Sequence, residues 1–305
     1  MEREESTDAV NDTREPDDRR WVVGIDGSDS STHAARWAAA HAPNRASELQ
    51  LTAAWSIPPA ASMAPMGAAV TGASFDAFEV SAHAAVDQAA ELLAPMLDLP
   101  VTRRVSLGGP APVLLDAADD SGFLVVGSRG RGGFARLVLG STSTQCATHS
   151  PVPVAVIPAA ASLDPVSSIL VAFDGSDNSI AALTWAADFA APGSTIDCVS
   201  VWDTSPLAAG ADQFFFPDAC DLAEERFEHL AQRTIARIGR DDVEVRHTFV
   251  SGTPRTTLAE HAATHDLLVM GARGHGALQA AVLGSVSTWL LHHVERPMVV
   301  APHPG

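Results

Sequence analysis

Short apolar blocks alternate with longer stretches of helical spacing along the whole chain. Strands are predicted near residues 21–26, 49–55, 101–107, 122–127 and 152–157, with helices near 30–42, 76–97, 110–120 and 140–149. The strand pattern returns near 168–173, 195–202, 243–250, 266–271 and 297–301. Strand and helix in alternation predict an α/β fold: two tandem, doubly wound, Rossmann-like parallel-sheet domains. Sheets of this kind bind ligands beyond the carboxyl ends of their strands.

The two pattern blocks are copies of one unit. Trp21-Val-Val-Gly-Ile-Asp-Gly-Ser-Asp-Ser-Ser returns as Ile169-Leu-Val-Ala-Phe-Asp-Gly-Ser-Asp-Asn-Ser, and Trp37 returns as Trp185. Leu124-Val-Val-Gly-Ser-Arg-Gly-Arg-Gly-Gly has its counterpart in Leu268-Val-Met-Gly-Ala-Arg-Gly-His-Gly-Ala. A period near half the chain marks a duplicated domain and not a solenoid. The predicted division is an acidic disordered tail over 1–19, a first domain over 20–158, a linker over 159–166 and a second domain over 167–305. A length of 305 residues suits two domains of ordinary size.

Composition narrows the chemistry. The hydrophobic share of 46% excludes a mainly disordered, collagen-like or disulfide-scaffold chain. The chain has no lysine, so all 19 basic residues are arginine, against 37 acids for a net charge of −18. Nucleic acid is thereby disfavoured as a partner, and a lysine phosphate loop or Schiff-base chemistry is excluded. Cys146, Cys198 and Cys220 are scattered, which argues against a disulfide framework or a structural zinc site and for a cytoplasmic setting. The acidic start lacks the apolar core of a signal peptide. The uncharged stretch from Trp55 to Phe75 is broken by Pro58, Pro59, Pro65, Gly67 and Gly72, so it reads as a flexible loop without membrane insertion.

The glycines carry the binding signal. Gly127 ends an apolar strand, Gly130 follows after two residues, and Gly140-Ser141 follows after nine more; Gly271, Gly274 and Gly284-Ser285 repeat the spacing. Such glycines let backbone N–H groups approach a polyphosphate, and a helix that opens at Gly140 or Gly284 presents its positive end to an anion. Asp26 and Asp174 can cap the next helix through the Asp-Gly-Ser-Asp turn, a role that can coexist with ligand binding.

The pattern G-x2-G-x9-G-[ST], the aspartate after the first strand and the paired copies together resemble tandem universal stress proteins of the actinobacterial type. The resemblance spans nearly all of the chain after the tail. It implies ATP in each domain and, in the first, a site at Gly24, Asp26, the backbone around Trp55, Gly127, Ser128, Arg129, Gly130, Arg131, Gly132, Gly133, Gly140, Ser141, Thr142 and Ser143. In the second it implies Ala172, Asp174, the backbone around Trp202, Gly271, Ala272, Arg273, Gly274, His275, Gly276, Ala277, Gly284, Ser285, Val286 and Ser287. Two departures, Ala172 for Gly24 and His275 for Arg131, favour the first site over the second.

Without lysine, the triphosphate charge calls for a metal ion, and Mg2+ is the expected companion. The family resemblance also implies an intramolecular pseudo-dimer, its last strands pairing across domains, with Pro151, Pro153 and Pro297 at edge positions. It is compatible with a homodimer of whole chains and a further protein partner. The expected role is a nucleotide-dependent regulatory or interaction module in stress response. The alternatives are a slow ATP hydrolase or phosphotransferase, which lacks an evident general base, and an interaction protein with empty pockets. Trp37, Trp185 and Cys146 are expected in the core, while His83, His247, His292 and His293 lack metal-ligand spacing.

Overall fold

The computed structural model describes residues 17–56, 72–130, 139–203, 219–274 and 283–302. Copy one comprises β1 (Asp17–Gly24), α1 (Asp29–His41), β2 (Glu48–Trp55), α2 (Gly72–Leu93), β3 (Val101–Leu107), α3 (Pro110–Ala118), β4 (Ser121–Gly127), α4 (Ser141–His149) and β5 (Val154–Ile157). Copy two comprises β6 (Ser168–Ala172), α5 (Asp177–Phe189), β7 (Thr195–Asp203), α6 (Ala219–Ile238), β8 (Glu244–Gly252), α7 (Pro254–Ala262), β9 (Leu267–Gly271), α8 (Ser285–His293) and β10 (Met298–Ala301).

The ten strands of the described residues form one sheet in the order β3-β2-β1-β4-β5-β10-β9-β6-β7-β8. Within each half every pairing is parallel. The halves join through β5 and β10, which run antiparallel with Val154 opposite Val300 and Val156 opposite Met298. The predicted edge strands are therefore the centre of the sheet. Pro153 and Pro297 precede these strands and act only as acceptors, taking the Leu124 and Leu268 N–H groups at 3.0 Å each.

Central strands are covered on both faces, which is why they read as unbroken apolar runs. Val22, Val23, Leu124, Val125, Leu170, Val171, Leu268 and Val269 are all fully buried. One core layer lies beneath α1, α2, α5 and α6 and the other beneath α3, α4, α7 and α8, and each runs unbroken from copy to copy. Trp37 and Trp185 are in the first layer as expected, and each packs at the seam between copies. Trp37 stacks on Phe189 at 6.3 Å, and Trp185 lies 5.2 Å from Phe123 of copy one.

Three boundaries differ most from expectation. β1 starts at Asp17, inside the stretch read as tail, and crosses an irregularity before Trp21. α2 starts at Gly72, within the stretch read as a loop, and stops at Leu93 in place of residue 97, with Pro95 in the 3-10 turn that follows. The rest of that loop, residues 57–71, lies outside the described residues.

Candidate functional site

In each half the strand order reverses between the first and fourth strands, so their carboxyl ends diverge and leave a crevice. At the end of β1 the chain turns through Gly27, whose φ of 76° suits glycine. Asp26 Oδ1 accepts from the Ser28 N–H (3.0 Å) and the Ser28 hydroxyl (2.6 Å), while Ser28 Oγ accepts from the Ser31 N–H (3.2 Å) and caps α1. The cap is thus serine, and the aspartate holds that serine in place. Copy two repeats the unit with Gly175 (φ 76°), Asp174 and Ser176, the latter accepting from the Ser179 N–H at 3.3 Å.

The glycines after β4 and β9 serve two different needs. A Cβ on Gly127 would stand 2.6 Å from Ser30 Oγ and 2.7 Å from the Ser30 carbonyl oxygen; one on Gly271 would stand 2.6 Å from Asn178 Cβ. These positions are glycine because α1 and α5 cross the strand ends there. Gly130 lies instead on the site carboxylate, since its Cβ would be 2.6 Å from Asp26 Oδ2, and Gly274 meets Asp174 Oδ2 more closely still. Asp26 therefore lies against Gly130 at the root of the glycine loop.

Backbone hydrogen bonds hold both loop roots. Ser128 donates its N–H to Ile157 O (2.9 Å), its carbonyl accepts from the Gly140 N–H (2.8 Å), and the Arg129 N–H reaches Ser30 Oγ (3.2 Å). In copy two Ala272 donates to Ala301 O (2.8 Å) and accepts from Gly284 (2.8 Å), while Asn178 Nδ2 donates to Arg273 O (3.1 Å). Arg131, Gly132, Gly133, His275, Gly276 and Ala277 lie outside the described residues.

Gly140 and Gly284 cap α4 and α8 without any side-chain hydrogen bond. The first-turn N–H groups of a helix have no intrahelical partner, so a glycine cap leaves them to whatever occupies the crevice. Ser143 Oγ donates to Gly127 O (2.7 Å) and Ser287 Oγ to Gly271 O (3.1 Å). Those hydroxyls fasten helix to strand end, and Ser143 also lines the cleft. Val286 packs on the core.

Copy one forms a cleft of about 530 Å³ lined by Gly24, Ile25, Asp26, Ser31, Thr52, Ala54, Pro110, Leu114, Val126, Gly127, Arg129, Gly130, Leu139, Gly140, Ser141, Thr142 and Ser143. This gathers most of the predicted residues of the first copy. Trp55 is not among them: its carbonyl accepts from the Gly108 N–H at 2.8 Å, and Ala54 lines the cleft in its place. Nor is Ser128, which is buried at the loop root. Sequence reasoning missed the apolar wall of Leu114, Val126 and Leu139, which looks like ordinary core in a linear pattern; Pro110 at the start of a helix was the one local hint. Cys146, in α4, is fully buried, and burial pushes its thiol up to about 12, so it is packing and not chemistry.

Among the described residues no three His, Cys, Asp or Glu side chains gather as a metal cage, and no helix is long and apolar enough to cross a membrane. The universal stress protein family profile matches residues 19–158 and again 166–302. Universal stress protein Rv2005c of Mycobacterium tuberculosis is 32% identical over 291 residues, covering 92% of this chain and 96% of that protein. Universal stress protein Rv1996 of the same organism is 30% identical over 303 residues, covering 93% and 95%. In fold, a solved universal stress protein from Archaeoglobus fulgidus superposes with a TM-score of 0.69 at 18% identity, over 94% of this chain and 99% of that one. Two profile matches in series, on a chain whose halves fold alike, identify it as a tandem-domain member of the universal stress protein family.

Proposed function

We propose that this chain is an ATP-binding regulatory or interaction module of the cytoplasmic stress response. One observation carries the reading: the copy-one cleft joins a glycine-capped helix start to a site carboxylate across about 530 Å³ of space at the switch point of the sheet. The residues fit the nucleotide. The N–H groups opening α4 and the Arg129 guanidinium suit the phosphates, Asp26 is an acceptor for a sugar hydroxyl, and Gly24, Leu114 and Val126 offer an apolar bed for the base. Mg2+ belongs to the same reading, carried by the phosphate oxygens themselves, where it would neutralise charge that a lysine-free cleft leaves over.

Binding, and not turnover, is the expected outcome. Among the described lining residues Asp26 is the one carboxylate, and its Oδ1 is already engaged by two hydrogen bonds from Ser28 that hold the cap of α1. ATP hydrolysis is therefore expected well below about 1 per second. ATP would act by shifting the conformation or the affinity for a protein partner, a second copy of the chain included.

Denaturing freshly purified protein and chromatographing the supernatant tests the reading, with calorimetry of Mg2+–ATP against chelated ATP as its companion. Released adenine nucleotide, or saturable heat, is expected; neither at millimolar ATP overturns it. Hydrolysis remains the second reading because Asp26 Oδ2 lies against Gly130 of the loop. Phosphate release near or above about 1 per second that is lost in Asp26→Asn would replace the module with an enzyme.

A further inference from the structure

The strand registers allow the cleft of copy one to be laid on copy two residue by residue. Gly24 is opposite Thr52 as Ala172 is opposite Val199, and Val126 precedes Gly127 as Met270 precedes Gly271. Asp26 and Asp174, Gly127 and Gly271, Arg129 and Arg273, and Gly140 and Gly284 keep their identity. The apolar lining positions that change do so in one sense. Gly24 becomes Ala172, Ile25 becomes Phe173, Ala54 becomes Val201 and Val126 becomes Met270, so every apolar replacement is larger. Thr52 and Thr142 become Val199 and Val286, which keep the size and lose the hydroxyl.

From this pattern we infer that the nucleoside end of copy two is closed to a nucleotide, so the chain holds one ATP, in copy one. The inference rests on the nucleotide reading above and adds the residues that decide between the sites. The added Cβ of Ala172 enters a crowded place. At Gly24 it would stand 3.0 Å from Leu114 Cδ1 and 3.4 Å from Val126 Cγ1, and copy two sets Leu258 and the longer Met270 there. Ala172, Val199, Leu258 and Met270 are all buried in a single apolar cluster. In copy one Leu114 and Val126 belong to the same cluster and line the cleft with Gly24 and Thr52, so the copies differ in the bulk of these side chains and not in their burial. A base entering beside the bulkier set must push it apart, and each overpacked contact of this kind weakens binding by about fivefold to a hundredfold.

Equilibrium dialysis of the full chain with labelled Mg2+–ATP tests this. One equivalent is expected to bind tightly, with any second at least about a hundredfold weaker. Gly24→Ala is expected to weaken the tight site about tenfold or more while the chain stays folded, because the clashing atom is the free end of Leu114 and copy two already accommodates the same Ala–Leu pair. Ala172→Gly combined with Met270→Val should raise a second measurable equivalent. Should that pair unfold the second half, the isosteric Val199→Thr, which restores only a hydroxyl, should still tighten the weak site. Two equal equivalents in the parent would overturn the inference and leave the nucleotide reading intact; no ATP on the parent or on any variant would overturn the reading and the inference with it.

Discussion

The ends of the strands and the seam between the copies treat the duplication differently. At the strand ends the copies repeat each other in detail: Asp26 with Ser28 matches Asp174 with Ser176, and Ser143 on Gly127 matches Ser287 on Gly271. At the seam, equivalent positions face each other across one molecule and have become unlike. His41 stands where copy two has Phe189, and the two rings stack at 6.3 Å. Arg45 covers Phe189 at 4.6 Å and donates to its carbonyl at 2.8 Å, while its counterpart Gly193 is a bare turn with φ 83°. Copy one also holds the linker, through His33 Nε2 to Ala161 O (2.9 Å) and His41 Nε2 to Asp164 O (3.1 Å). A homodimer would be bound to use the same residue on both sides of its axis; a fused pair is free of that constraint.

The largest expected effect breaks the seam unequally. Trp37→Ala should cost about 3–5 kcal/mol in urea unfolding, because the ring is fully buried between His41 and Phe189. Trp185→Ala should cost clearly less, its ring being only partly buried. Equal losses would mean that the seam is as symmetric as the strand ends.

Next come the strand-end glycines, where the copies should behave alike. Gly127→Ala and Gly271→Ala are each expected to destabilise by about 1–3 kcal/mol or more, since the new Cβ meets Ser30 backbone in one case and Asn178 in the other. A variant with parental stability and lost ATP binding would return these glycines to a ligand-contact role. Smaller again, Ser28→Ala and Ser176→Ala should each cost about 1 kcal/mol through the lost cap of α1 or α5, and a marked inequality would show that the Asp-Gly-Ser-Asp turns are not equivalent.

The subtlest test is acid. Burial, opposed by hydrogen bonds to the Trp37 and Asp164 carbonyls and aided by the nearby Arg45 charge, holds His41 below its ordinary pKa of 6.5. A group depressed on folding supports the native state above its unfolded pKa, and that support is lost as pH falls through the lowered folded value. Thermal stability should accordingly fall on acidification below about pH 6.5, and less steeply in His41→Gln. His247 in copy two, also lowered by burial, keeps the slope from vanishing in that variant. An unchanged slope in His41→Gln would remove the seam histidine from the pH response.

Much of this was legible in the chain itself, because period and repetition are local properties. The alternating blocks set the βα order, the internal repeat set two copies, and the glycine spacing with its aspartate pointed to the crevice at the end of β1 and β4. What each residue does there was not legible, since it depends on neighbours distant in sequence. Gly127 is glycine on account of Ser30, some hundred residues away in the chain, and Gly130 on account of Asp26. Leu114 and Val126 became walls of a cleft only when α3 settled beside β4. The repeated tryptophans announced a core, yet only the antiparallel joining of β5 to β10 decided that each packs across a seam on the other copy. Hydrophobic periodicity specifies which faces are buried; which other face covers them is a matter of packing in three dimensions, and there the two copies of one sequence pattern parted company.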